Sequence, residues 1–180
     1  MALEPRGRWY VGPVPERRRM SWWERAGERF ARTRFGAWFA INVANPIDRR
    51  LLRLTRGRVG VFLGAPVGLL TTVGARSGRE RATPLVYLDD GERVVLVASK
   101  GGAARHPAWY HNLSATPEVG FLRRGGHRAR YRAREAEGAE REELWTRVND
   151  LYAGYADYQT RTGGRRIPVI VLDPADPQDG

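Results

Sequence analysis

Two tight-turn signals constrain this chain most: "DDGE" at Asp89 to Glu92 and "RRGGH" at Arg123 to His127, each set between short apolar runs. Glycine and aspartate tolerate positive φ, so both stretches predict hairpin turns, and the strands they join must be antiparallel. The surrounding texture agrees. From Val59 onward the chain breaks into short runs rich in β-branched residues, and strands are predicted at Val67 to Val73, Ala82 to Leu88, Arg93 to Ser99, Val119 to Leu122, His127 to Glu135 and Ile167 to Leu172. In "HRARYRARE" Arg128, Arg130, Arg132 and Arg134 alternate with Ala129, Tyr131 and Ala133. That is the period of a half-buried strand, and its arginine stripe is expected to face solvent. "AEREELWTRVNDLY" has helical spacing and is expected to turn Leu144, Trp145, Val148 and Leu151 inward. About six short strands with peripheral helices predict an α+β protein built on a small, mostly antiparallel barrel.

The segment before this domain has a different character. Residues 1–60 hold 14 arginines against five acidic residues, whereas residues 61–180 hold 16 arginines and Lys100 against 15 acids. The net charge of +11 is therefore concentrated at the N-terminal end. Residues 1–20 read as a disordered leader rich in Pro and Arg. Residues 21–58 read as a basic, aromatic helical extension, and residues 59–180 as the barrel domain. A capping box in "SWWE" opens the first helix, and Asn45 with Pro46 in "NPID" opens the second. The first helix is expected to pack on its own domain; its alternative is peripheral contact with anionic lipid.

Composition removes several classes of function. With no cysteine there is no disulfide, thiolate metal site or cysteine nucleophile. The longest clean apolar run, Phe35 to Ala44, is half of the roughly 20 residues a spanning helix needs. The first residues do not read as a signal peptide, so a cytoplasmic location is expected, peripheral at the membrane's inner face if the helix rests on lipid. Because the excess charge lies outside the domain, no nucleic-acid groove is expected on it. There is no P-loop, dinucleotide fingerprint, H-E-x-x-H or G-x-S-x-G, and His106, His111 and His127 lack companions at metal spacing, so no metal is expected.

Three clusters remain. "GARSGRERATP" (Gly74 to Pro84) places Arg76, Ser77 and Arg81 around a turn where guanidinium forks, a hydroxyl and backbone N–H groups could converge on an anion. "VASKGGAARHPAWYHNL" carries Lys100, the only lysine in a chain whose other 30 cations are arginine. Gly101 and Gly102 allow the backbone to curl there, and Pro107 suits the first position of a helix holding Trp109, Tyr110, His111 and Asn112. A cation, a glycine curl and a helix N-terminus suit a phosphate; rings and amides suit a flat heterocycle. A helix that anchors a core with Trp109 and Tyr110 fits the same residues. In "LYAGYADYQTRT", Tyr152, Tyr155 and Tyr158 are three apart and either share a face, line an opening or pack as a lid. A neutral phenol is a hydrogen-bond donor suited to stabilising negative charge on a substrate under reduction.

Taken in order, "LLTTVGARSGRERATPLVYL", "VVLVASKGGAARHPAWYHNL", "LYAGYADYQTRT" and "RRIPVIVL" resemble the successive motifs of the deazaflavin-dependent nitroreductase family, over about Asn45 to Leu172. The resemblance implies a split β-barrel of the FMN-binding type and the 8-hydroxy-5-deazaflavin coenzyme F420. It implies hydride transfer to an electron-poor small molecule such as a quinone, enone or nitro compound. It maps cofactor binding onto Ala75, Arg76, Ser77, Arg81, Ala82, Thr83, Pro84, Leu85 and Val86, onto Val97, Ala98, Ser99 and Lys100, and onto Ala108, Trp109, Tyr110, His111 and Asn112. It makes Tyr155 the substrate-side hydrogen-bond donor, with Tyr152 and Tyr158 beside it. Ala75 stands where the family usually has a cation, a loss that Arg79 and Arg81 are placed to offset. The alternative is a split barrel that uses FMN, or holds a flavin, haem or fatty acid without turnover.

Overall fold

The computed structural model describes residues 66–175. The leader and both N-terminal helices expected from the sequence lie outside these residues. The described chain runs β1 (Val67–Val73), β2 (Glu80–Asp90), β3 (Arg93–Val97), a 3-10 turn (Lys100–Gly102), α1 (Ala108–Ala115), β4 (Glu118–Leu122), β5 (Arg128–Glu135), α2 (Gly138–Leu151), α3 (Gly154–Arg161) and β6 (Val169–Pro174). The six strands close into a barrel in the order β1-β2-β3-β6-β5-β4, and every neighbouring pair is antiparallel.

Burial explains the sequence textures. Leu70, Tyr87, Val94, Leu96, Phe121, Tyr131, Ile170 and Leu172 form the barrel interior. On the outer face of β3 and β6, Val95, Val97, Val169 and Val171 pack under Leu144 and Val148 of α2. Those two strands are therefore buried on both sides and read as continuous apolar runs, whereas β5 has one wet face and alternates. Its arginines are exposed as expected, and Arg132 and Arg134 meet Glu118, Glu140 and Asp173. On α2, Leu144 and Val148 are fully buried while Trp145 and Leu151 are only partly so. Burying each of the first two contributes roughly 1.5–3 kcal/mol.

Both predicted hairpins form. Asp90 pairs with Arg93 around the two-residue loop Gly91–Glu92, with Gly91 at φ +68, a position that mirror-image turns reserve for glycine. Leu122 pairs with Arg128, with Gly125 at φ +98. The limits of β1 are as expected, and those of the other strands differ from the sequence expectation by at most two residues. β3 stops at Val97 because Ser99 is already helical, at φ −71 and ψ −42, and β6 starts at Val169 because Pro168 has no N–H to donate. Among the described residues, no helix is long and apolar enough to cross a membrane.

Candidate functional site

Strand register brings the first two clusters together. The end of β3 pairs with the start of β6 (Val97 with Val169), and β6 pairs with the end of β5 (Ile170 with Glu135). Extended through the β5–β4 and β4–β1 registers, that level reaches the turn after β1. Helix α1 spans the gap. Asn112 donates from Nδ2 to Thr72 Oγ1 at 3.0 Å and accepts the Ala75 N–H on Oδ1 at 3.1 Å, so one side chain pins the turn to the helix. At the other end of α1, Lys100 Nζ lies 3.5 Å from the His106 carbonyl. Helix α1 thus links the two cationic segments, with the Lys100 contact just before its first residue and the Asn112 contacts at its fifth.

The turn itself is more closed than the sequence suggests. The N–H groups of Ser77 and Gly78 are taken by the Gly74 carbonyl at 3.0 and 2.8 Å, that of Ala75 by Asn112, and that of Arg79 by Ser77 Oγ at 3.4 Å. What the turn offers a ligand is its side chains. Arg76, Arg79 and Arg81 are exposed, and none of them has a carboxylate partner among the described residues. Lys100 and Arg105 are exposed and unpaired in the same sense.

Lys100 has a second distinction. At φ 50 it is the one non-glycine residue among the described ones with a left-handed backbone, and Gly101 and Gly102 follow at φ 63 and 82. Such a conformation costs about 1 kcal/mol or more in a residue with a Cβ, and it persists only where the surroundings over-determine it. Two contacts do so here. A Cβ on Gly102 would stand 2.9 Å from the Tyr158 carbonyl, so the loop lies directly on α3. From below, Arg165 donates to the carbonyls of Ala98 (3.2 Å), Ser99 (2.9 Å) and Ala103 (2.8 and 3.1 Å) and to His106 Nδ1 (3.2 Å). Arg165 was not a candidate from sequence, although it opens the motif "RRIPVIVL", since its partners lie about 60 residues away. Burial lowers its pKa from the ordinary value.

Of the four aromatic and amide positions on α1, the structure turns one inward. Trp109 is 6% exposed and packs with Leu113 in the barrel core, which is the anchoring role. Pro107 occupies the cap, one position before the helix it was expected to begin. Tyr110 is half-buried and donates to Glu135 at 2.9 Å, His111 is exposed, and His106 stacks on Tyr110 at 4.5 Å between ring centres. His106, which sequence reasoning passed over, thus joins the flat surface at the start of α1. Its burial, then Arg165 and then His111, hold its pKa below the usual value, and Arg165 donation leaves Nδ1 as the acceptor. In the mapped strand segments, Ala82, Pro84, Val97, Ala98 and Ser99 are buried, Thr83, Leu85 and Val86 partly so, and Ala108 is exposed.

The tyrosines divide. Tyr155 and Tyr158 lie on α3, while Tyr152 sits at the corner before it, its ring over Gly154 and its hydroxyl 3.0 Å from that of Tyr158. Tyr155 is 6% exposed and packs edge-on to Tyr152 at 5.2 Å. Burial, with Tyr158 adding to it, raises its pKa strongly, so its phenol stays protonated across the physiological range.

Known proteins resemble this chain in sequence and in fold. Residues 47–174 match the family model described as F420H(2)-dependent quinone reductase. An F420H(2)-dependent quinone reductase of Mycobacterium tuberculosis strain H37Rv is 42% identical over 127 residues, covering 68% of this chain and 84% of that protein. Among solved structures, an F420-H2 dependent reductase superposes with a TM-score of 0.55 at 42% identity, over 60% of this chain and 94% of the other. A structure described as a domain-swapped dimer gives 0.57 at 37% identity, over 71% and 96%.

Proposed function

The chain belongs to the F420H(2)-dependent quinone reductase family, and from that premise we propose that it is a deazaflavin-dependent reductase passing a hydride from F420H2 to a quinone-type acceptor. When bound, the reduced deazaflavin supplies the hydride from its C5; the protein's part is to bind, orient and polarise. The residues fit that coenzyme. It combines a flat ring system with an anionic phosphodiester and carboxylate tail, and Arg76, Arg81 and Lys100 are exposed with no carboxylate partner among the described residues. The observation that carries the reading is Lys100: a sole lysine, exposed and unpaired, held in a left-handed backbone beside the start of α1.

In this reading Arg76, Arg81 and Lys100 hold the anionic part, with Ser77 as a hydroxyl donor. Tyr110, His111 and His106 offer ring surface, while Trp109 and Asn112 fix α1 and the turn against the barrel. The backbone of Ala75, Ala82 to Val86 and Val97 to Ser99 forms the wall. Tyr155, protonated at neutral pH, donates to the acceptor as negative charge grows on it, with Tyr152 and Tyr158 fixing its ring. As the alternative to packing on its own domain, the N-terminal segment, with 14 arginines among its first 60 residues, would add peripheral contact with anionic lipid. Its removal through residue 44 is expected to reduce liposome binding and leave turnover intact.

The test is to titrate the purified chain with F420H2 and menadione, and separately with FMN. Saturable F420H2 binding with turnover supports the reading. Binding of FMN in preference, or tight F420 binding with no acceptor reduced, would replace it with the FMN-using or non-catalytic alternative.

A further inference from the structure

We propose that Arg165 is a positioning residue for the coenzyme: it presents Lys100 to the anionic tail by clamping the loop from the opposite side. The inference rests on the F420 reading above and extends it to a residue that reading does not use.

Two directions of hydrogen bonding meet in this loop. A chain that curls through three successive left-handed residues, Lys100 to Gly102, throws its neighbouring carbonyls to one side. Those of Ala98, Ser99 and Ala103 converge on a single guanidinium, which also reaches His106 Nδ1. A planar five-donor fork reaches all four of these acceptors at once, and an ammonium, with three donors on one nitrogen, cannot. With its carbonyls occupied beneath, the loop turns the Lys100 side chain to the exposed side, where it meets the His106 carbonyl at the start of α1. An unclamped loop would offer a phosphate those same carbonyl oxygens and repel it.

The clamp is itself held. The Arg165 carbonyl accepts from Thr162 Oγ1 at 2.7 Å and from Gln159 Nε2 at 2.8 Å, and Gln159 Oε1 accepts the Ile167 N–H at 2.8 Å. Thr162 is 1% exposed. Gln159 lies on α3, the helix that carries Tyr155 and Tyr158 and that Gly102 touches. The same short helix therefore fixes the tyrosines and, through Gln159 and Arg165, the lysine.

Among the described residues Arg165 has no carboxylate partner, unlike its neighbour Arg166, which pairs with Glu142 at 3.2 Å. Arg166 is 66% exposed and serves as the control.

The experiment compares the full-length chain with Arg165→Lys, Arg165→Gln and Arg166→Gln. It measures KM for F420H2, KM for menadione, kcat, the thermal midpoint, and activity on adding guanidinium chloride at low millimolar concentration. The expected result is a KM for F420H2 raised tenfold or more in both Arg165 variants, with menadione KM unchanged and kcat within about threefold. Lysine should not rescue, added guanidinium should partly restore Arg165→Gln, and Arg166→Gln should match the parent. Unchanged KM for F420H2, or a loss confined to kcat, overturns the inference. So does failure of either variant to fold, which would make Arg165 a residue of the core. A parent chain that neither binds F420H2 nor turns over refutes the functional reading instead.

Discussion

The barrel has two ends, each stapled by an arginine, and they differ in whether that arginine has a carboxylate partner. At the end holding the Gly91–Glu92 and Arg123–His127 turns, Arg123 donates to the Gly91, Glu92 and Arg93 carbonyls and the Tyr131 hydroxyl, and it pairs with Asp89 at 2.7 Å. The stapling arginine is neutralised there, while Arg124 and Arg128 beside it are exposed with no carboxylate partner among the described residues. At the other end Arg165 gathers carbonyls and an imidazole without a carboxylate, and Arg76, Arg79, Arg81, Lys100 and Arg105 stand unpaired among the described residues. A chain with 20 acidic residues has the means to pair those cations, and it pairs others. Five unpaired cations gathered around the start of α1 and the turn after β1 suit an anionic coenzyme, and a purely structural barrel gains nothing from them.

Four substitutions or conditions should separate the two ends. The largest effect on stability is expected from Arg123→Ala, which strands several turn carbonyls and Asp89. It should cost about 3 kcal/mol by chemical denaturation while leaving F420H2 affinity of the folded protein unchanged. At the opposite end, Gly102→Ala adds a Cβ in a left-handed position and against the Tyr158 carbonyl, for a cost of about 1–3 kcal/mol. Here affinity should fall with stability, by roughly tenfold, since 1.4 kcal/mol is a factor of ten.

Acidification acts next, through His106. Arg165, His111, Glu135 and Tyr110 surround its ring, and its folded pKa is depressed. The neutral imidazole's contribution is therefore complete above the ordinary value of about 6.5 and is lost as pH falls through the folded value, where a proton on Nδ1 removes an acceptor from Arg165. Coenzyme affinity should weaken several-fold in that window, and a His106→Gln variant should show a flatter profile. The smallest effect is expected from Arg134→Ala on the β5 stripe. Its contacts with Glu140 and Asp173 are surface ion pairs worth under about 1 kcal/mol, and affinity should not change.

The strands were legible in the sequence because each has a local cause: alternation in β5, continuous apolar runs in β3 and β6, and glycine at the positive-φ positions of both hairpins. Lys100 was legible as a compositional exception. The turn after β1 was only half legible, since its arginines are visible in sequence while the internal spending of its N–H groups is a matter of turn closure. Trp109 and Tyr110 follow one another in a motif, yet helical geometry sends one ring to the core and the other to Glu135. The role of Arg165 was not legible, although the residue opens the motif "RRIPVIVL". Its partners are distant in sequence, and nothing local distinguishes it from Arg166, which lies on the surface.

The central claim is that the unpaired end of the barrel holds the coenzyme through Lys100, and it is tested most directly by equilibrium titration of F420 into Lys100→Ala beside Arg134→Ala and the parent chain. Loss of a charge-assisted contact worth about 1.5–3 kcal/mol predicts a dissociation constant at least tenfold higher for Lys100→Ala and unchanged for Arg134→Ala. Equal constants for all three proteins would contradict it.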